Sequence, residues 1–132
     1  MSTLLDLASP LLAELVSHLK DSAANAPTHT WTQLIYELRS NRELQADWDG
    51  QGALATIPEL VDAAIELARQ LEAQGSIPAA FATVGFNATV FFEWRLASGF
   101  LEIEVTGPHT AEGRWVPKGA NVAEAFAVPL PS

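Results

Sequence analysis

Two groups of side chains have types and spacings that bear on chemistry. Residues 48–53 read Trp-Asp-Gly-Gln-Gly-Ala, which sets an indole and a carboxylate beside two glycines. Residues 89–106, "TVFFEWRLASGFLEIEVT", carry Glu93, Glu102 and Glu104. Paired carboxylates are the equipment of acid–base catalysis, as in glycoside cleavage. Trp48 beside Asp49 would supply an aromatic wall and an acceptor for a small ligand. The candidate binding set is therefore Trp48, Asp49, Glu93, Glu102 and Glu104. No residue is assigned a catalytic role. The plainer reading of the glutamates is the solvated outside of a half-buried sheet, with Arg95 and Arg114 as nearby cations. The plainer reading of the six-residue stretch is a turn, because Gly and Asp are turn formers for conformational and hydrogen-bonding reasons.

Several chemistries are excluded. There are no cysteines, which removes disulfides, thiolate nucleophiles and cysteine-based zinc sites. His18, His29 and His109 lie far apart, without the spacing that puts two imidazoles on one helix face. No Gly-x-Ser-x-Gly elbow or phosphate loop is present, and "GQGA" lacks the preceding strand of a nucleotide fingerprint. Asp47 and Asp49 begin like an EF-hand loop, but the fifth position is Gln51. The twelfth is Pro58, where a bidentate Glu is required. The expectation is no cofactor and no metal.

The formal net charge is −9, from sixteen acids against seven Lys and Arg. Phosphate neutralisation supplies most nucleic-acid affinity, so direct nucleic-acid binding is not expected. Such a surface steers a basic protein toward it. No apolar run reaches the roughly 18 residues of a membrane span, and the first residues do not read as a secretory signal. A soluble, bacterial-type cytoplasmic protein without membrane contact is the expectation; the oligomeric state is not encoded in any pattern here.

These residues must be positioned by helices first and strands afterwards. At 132 residues, 48% of them apolar, a single domain with its own core is expected, helical over 1–75 and sheet with a C-terminal tail over 79–132. Ser9 and Pro10 start a first helix, with Leu11, Leu12, Leu15, Val16 and Leu19 as its stripe. Thr30 and Gln33 form a capping box for a second helix over about 31–45, striped by Trp31, Leu34, Ile35 and Leu38. Thr56 and Glu59 repeat the cap for a third, whose stripe runs Ile57, Leu60, Val61, Ala64, Ala68, Leu71 and whose stop is Gly75. The period then becomes two: Val90, Phe92 and Trp94 face one way, Phe91, Glu93 and Arg95 the other. "LASG" joins this strand to Leu101, Ile103 and Val105 as a hairpin. A register with Arg95 opposite Glu102 is preferred, because the alternative opposes Glu93 to Glu102 at a cost of a few tenths of a kcal/mol. With "AFATV" (80–84) before and "EGRWV" (112–116) after, four strands result. In the tail, Asn121 and Glu124 suggest one capped helical turn before an extended end. The fold class is α+β, three N-terminal helices packed on one face of a four-stranded antiparallel meander. Residues 48–53 then join two helices, with Gly50 and Gly52 at positive φ, Asp49 accepting loop N–H groups, and Trp48 pinning the loop to core or sheet.

"WDGQGA", a capped helix, and a hairpin with "FEW" and "LEIEV" resemble a family of small bacterial proteins without an established activity. The likeness covers about residues 45–116. Gln51 stands where that family usually has an aromatic or apolar residue, and "VGFNAT" replaces a Pro and Gly-Gly turn. The resemblance implies the helix-then-hairpin layout and a bacterial source, and carries no function.

Subtraction leaves an acidic, non-enzymatic interaction module, of the antitoxin, immunity-protein or inhibitor kind, with a basic protein partner. The alternatives are a small-ligand binder or hydrolase using Trp48 and Asp49 with the sheet carboxylates, and a nucleic-acid mimic. The mimic requires the helix acids to form one continuous stripe.

Overall fold

The computed structural model describes residue 19, residues 29–128 and residue 130. Within them the chain is α+β, with two helices and one five-stranded antiparallel sheet. The expected first helix lies outside the described residues, apart from Leu19, which is helical and buried.

Helix α1 is Trp31–Ser40. Thr30 and Gln33 close the expected capping box, Gln33 N–H donating to Thr30 Oγ1 at 3.1 Å and Thr30 N–H to Gln33 Oε1 at 2.8 Å. Trp31, Leu34 and Leu38 are its buried stripe. The helix ends five residues short of the expected 45. The next turn has polar Asn41 and Arg42, and the Leu44 N–H is claimed by Thr56 Oγ1 at 2.8 Å.

Helix α2 is Pro58–Ala73, with Pro58 in the first turn. Thr56 does not cap it. Ile57 holds the N-cap position without a side-chain bond. The Thr56 hydroxyl instead donates to the Arg42 carbonyl at 2.7 Å, and its N–H donates to the Leu44 carbonyl at 3.0 Å. Thr56 thus clamps the exit of α1 to the entry of α2. Leu60, Val61, Ala64, Ala68 and Leu71 are buried as their spacing predicts, joined by Ile65 and Leu67, while Ile57, the first residue of the expected stripe, is exposed at the N-cap.

The strands are β1 (Phe81–Val84), β2 (Val90–Leu96), β3 (Gly99–Gly107), β4 (Thr110–Pro117) and β5 (Glu124–Val128), paired in sequence order. Helix α1 packs on α2 and β1, while α2 lies over β3 and β2. Val90, Phe92, Trp94, Leu101, Ile103 and Val105 form the inward face. Phe92 stacks on Trp94 with centroids 6.1 Å apart, and Trp94 meets Trp31 at 6.3 Å. Both indoles anchor the helix-to-sheet crossing: Trp31 Nε1 donates to the Ser76 carbonyl at 2.8 Å, Trp94 Nε1 to that of Ile77 at 3.0 Å. A buried indole keeps its N–H partnered this way at little cost.

Two expectations are corrected in the sheet. Residues 124–128 form a fifth strand rather than a helical turn. Phe126 and Val128 turn to the same side as Gly113 and Ala111, so the period is two, and β4 gains a partner for its open edge. The β2–β3 register opposes Glu93 to Glu102, not Arg95 to Glu102. The turn is Ala97–Ser98, which places Gly99 inside β3. There a Cβ would sit 2.3 Å from the Val116 carbonyl and 2.8 Å from Trp115. In this register Gly99 pairs with Leu96 of β2 on one side and Pro117 of β4 on the other, a position that a side chain could not occupy. Arg95 lies with its guanidinium 5.4 Å from the Phe81 ring centroid instead.

Candidate functional site

The outward face of the sheet follows from that register. One row across it reads Phe81, Glu93, Glu102, Arg114, Ala125; the next reads Thr83, Phe91, Glu104, Glu112, Ala127. Glu93 directly opposes Glu102, and Glu104 directly opposes Glu112. Like charges at such positions destabilise a sheet. Arg114 is the cation of the central rows, with Nη1 3.6 Å from Glu102 Oε1. It is more than half exposed, so solvent screens the pair and its contribution is small.

A concavity of about 390 Å³ lies between β3 and β5 on this face. Glu102, Glu104, Glu112 and Arg114 line it, and Ala125 and Ala127 provide the short side chains that leave it open. The Glu102 side chain is only 17% exposed. Burial pushes its carboxyl above the usual glutamate range, Arg114 draws it back, and Glu93 and Glu104 push it up again. Glu104 is held at its Oε2 by the Thr89 hydroxyl at 2.8 Å.

The loop between the helices is organised differently. Asp49 Oδ1 accepts the Gln51 N–H at 2.9 Å and the Ala53 N–H at 3.0 Å. These bonds hold the Asp49 carboxyl below the usual aspartate range. Asp47 Oδ1 accepts the Gly52 N–H at 2.7 Å, and the Asp47 N–H donates to the Ala53 carbonyl at 2.7 Å. Gly50 and Gly52 have φ of 72° and 86°, as the reversal requires. One oxygen of each aspartate is therefore spent inside the turn. Trp48 does not enter the core: its indole N–H donates to the Leu54 carbonyl at 3.1 Å and the side chain stays 37% exposed. Buried Ala53 is what reaches inward. The tie to the sheet is the Leu54 N–H donating to the Phe86 carbonyl at 2.8 Å, in the β1–β2 turn.

Of the five candidate residues, Glu102 and Glu104 share the concavity, and Glu93 stands beside Glu102 in the same row. Trp48 and Asp49 are outside its lining. They connect to the sheet through Leu54, the Phe86 turn and Thr89, which reaches Glu104. Glu112 belongs with the candidate carboxylates and was missed; the β4 alternation of Glu112 with Arg114 is its signal in the sequence. On the helices, Asp62 is gripped by Arg42 through two bonds of 2.8 and 2.9 Å, which lowers its pKa, and Glu66 lies 3.9 Å from Arg69. Two of the four acids of α2, Asp62 and Glu66, thus lie within 4 Å of an arginine, while Glu59 and Glu72 form no ion pair among the described residues. Among the described residues no group of three His, Asp or Glu is placed to hold a metal ion, and no helix is long and apolar enough to cross a membrane.

No family model matches the chain, and no curated protein or solved structure matches it.

Proposed function

We propose that the protein is an acidic, non-enzymatic interaction module, of the antitoxin, immunity-protein or inhibitor kind. Its outward sheet face receives the basic surface of a protein partner. The observation that carries the reading is the pair of direct like-charge oppositions, Glu93 to Glu102 and Glu104 to Glu112. The outside of a sheet ordinarily alternates sign, since that stabilises it. A face that sets carboxylate against carboxylate, and half-buries one of them, gains its compensation when a cation arrives. Four glutamates against Arg114, with Arg95 drawn to Phe81 at the edge of the same face, leave part of that compensation to a partner.

The experiment is a pull-down from the native host with the whole chain, followed by a salt gradient. A stoichiometric basic protein that elutes as salt rises, and that Glu102→Gln/Glu104→Gln fails to retain, is the expected result. Recovery of no stoichiometric partner across several growth conditions would contradict the reading.

A further inference from the structure

We infer that Trp48, Leu54 and Phe86 form a second, apolar docking patch for a segment of a protein partner that carries an apolar side chain between lysines or arginines. The three side chains are exposed by 37%, 58% and 72%, respectively. They belong to two distant segments that backbone geometry brings together. The Trp48 indole is bonded to the Leu54 carbonyl, and the Leu54 N–H to the Phe86 carbonyl. Tryptophan and its aromatic neighbours are the side chains that anchor protein interfaces, since they offer large contact area at small entropic cost. The loop that carries Trp48 is held by bonds from Asp47 and Asp49, so the indole is positioned before any partner arrives.

Charge complementarity names the occupant. The loop and its flanks carry Glu43, Asp47, Asp49 and Glu59, while Asp62 is paired with Arg42 and Glu66 lies near Arg69. The Phe86 turn itself, residues 85–89, carries no charged side chain, and the nearest cation along the strand, Arg95, lies over Phe81. A partner segment with acids beside its apolar anchor would be repelled here, and one with cations is drawn in. Thr89, three residues beyond Phe86, donates to Glu104 of the acidic face at 2.8 Å.

The inference rests on the reading that the partner is cationic, and its test separates the two. Trp31, Trp94 and Trp115 are buried, so Trp48 is the indole whose emission responds to docking. The probes are three short synthetic peptides of one length: lysine with leucine, lysine with serine, and serine with leucine. At low salt the lysine–leucine peptide is expected to shift the emission to the blue and to bind about tenfold more tightly than either control. Phe86→Ser and Leu54→Ser, both at exposed positions, are each expected to remove most of that advantage, and Trp48→Phe the spectral shift. Equal binding of both lysine peptides, unaffected by Phe86→Ser, would overturn the patch and leave the acidic face standing. Failure of both lysine peptides would overturn both.

Discussion

The loop at residues 47–54 and the outward face of β2–β4 are both rich in carboxylates, and they use them in opposite ways. In the loop each aspartate turns an oxygen onto backbone N–H groups, so the charge serves the fold. On the sheet Glu93 faces Glu102 and Glu112 faces Glu104, with a screened arginine beside Glu102, and the ionised form of Glu102 is disfavoured in the fold. Under the proposed function the sheet face, with its opposed carboxylates and its concavity, is the place that receives the partner, while the loop carboxylates, bonded inside a turn, serve as a joint. The loop's interest for binding comes from its exposed apolar side chains.

The comparison can be broken by substitution. The largest effect is expected from Gly99→Ala, which puts a methyl group 2.3 Å from the Val116 carbonyl and so attacks the register that aligns the glutamates. Unfolding in denaturant is expected to show a loss of about 2–3 kcal/mol. A stability unchanged within error would mean that β3 and β4 do not meet as described. Next comes Thr56→Val, which removes the clamp between the two helices and leaves the Leu44 N–H and Arg42 carbonyl without that partner. A loss of about 1–2 kcal/mol is expected from thermal or denaturant melts.

Gly50→Ala is milder. A Cβ there meets nothing within 4 Å, so only the backbone conformation at φ 72° opposes it. A loss of about 1 kcal/mol is expected, with partner capture retained. If capture disappeared while stability held, the loop backbone would itself belong to the contact, beyond the Trp48 and Leu54 side chains.

The smallest effect has the opposite sign. Glu102 has a raised pKa in the folded protein, so its ionised form is disfavoured there relative to the unfolded chain. Its penalty is complete above the folded pKa and absent below the ordinary glutamate value of 4.5. Glu102→Gln is therefore expected to stabilise at pH 7 by about 0.5 kcal/mol, an advantage that fades as the pH falls through that window. Asp49 and Asp62 run the other way. Their lowered pKa values give stability that is present above the usual aspartate value and lost as pH falls through the folded ones. Melts across pH of Glu102→Gln and Asp49→Asn should show slopes of opposite sign relative to the unsubstituted chain.

Much of this architecture was legible in the sequence. The period of Leu60, Val61, Ala64, Ala68 and Leu71 gave α2, and the alternation through Val90, Phe92 and Trp94 gave the inward face. What local patterns could not supply was contact between distant segments. Thr56 looks like a helix cap, yet its hydroxyl is taken by Arg42 and Leu44 across the loop. Phe126 and Val128 carry the period of a strand, but Asn121 and Glu124 offered a competing local signal that the open edge of β4 overrode. The charge pairing of one hairpin favoured Arg95 opposite Glu102; the observed register instead puts Gly99 inside β3, packed closely against a third strand that the hairpin pattern alone does not include. The same shift explains why Glu93, Glu102 and Glu104 were named as sharing one face while the opposition of Glu93 to Glu102 was not; Glu112 opposes Glu104 through the β3–β4 pairing, whose register the local pattern leaves open.

The central claim is that the outward glutamates are kept at a cost to stability because they bind a basic partner. Glu102→Gln/Glu104→Gln tests both halves in one variant, since a glutamine at 104 can still accept from Thr89. Denaturant unfolding at pH 7 and capture of the native partner should be measured side by side. The account predicts a double variant at least as stable as the unsubstituted chain that no longer retains the partner. A variant that is destabilised, or one that captures the partner undiminished, would contradict it.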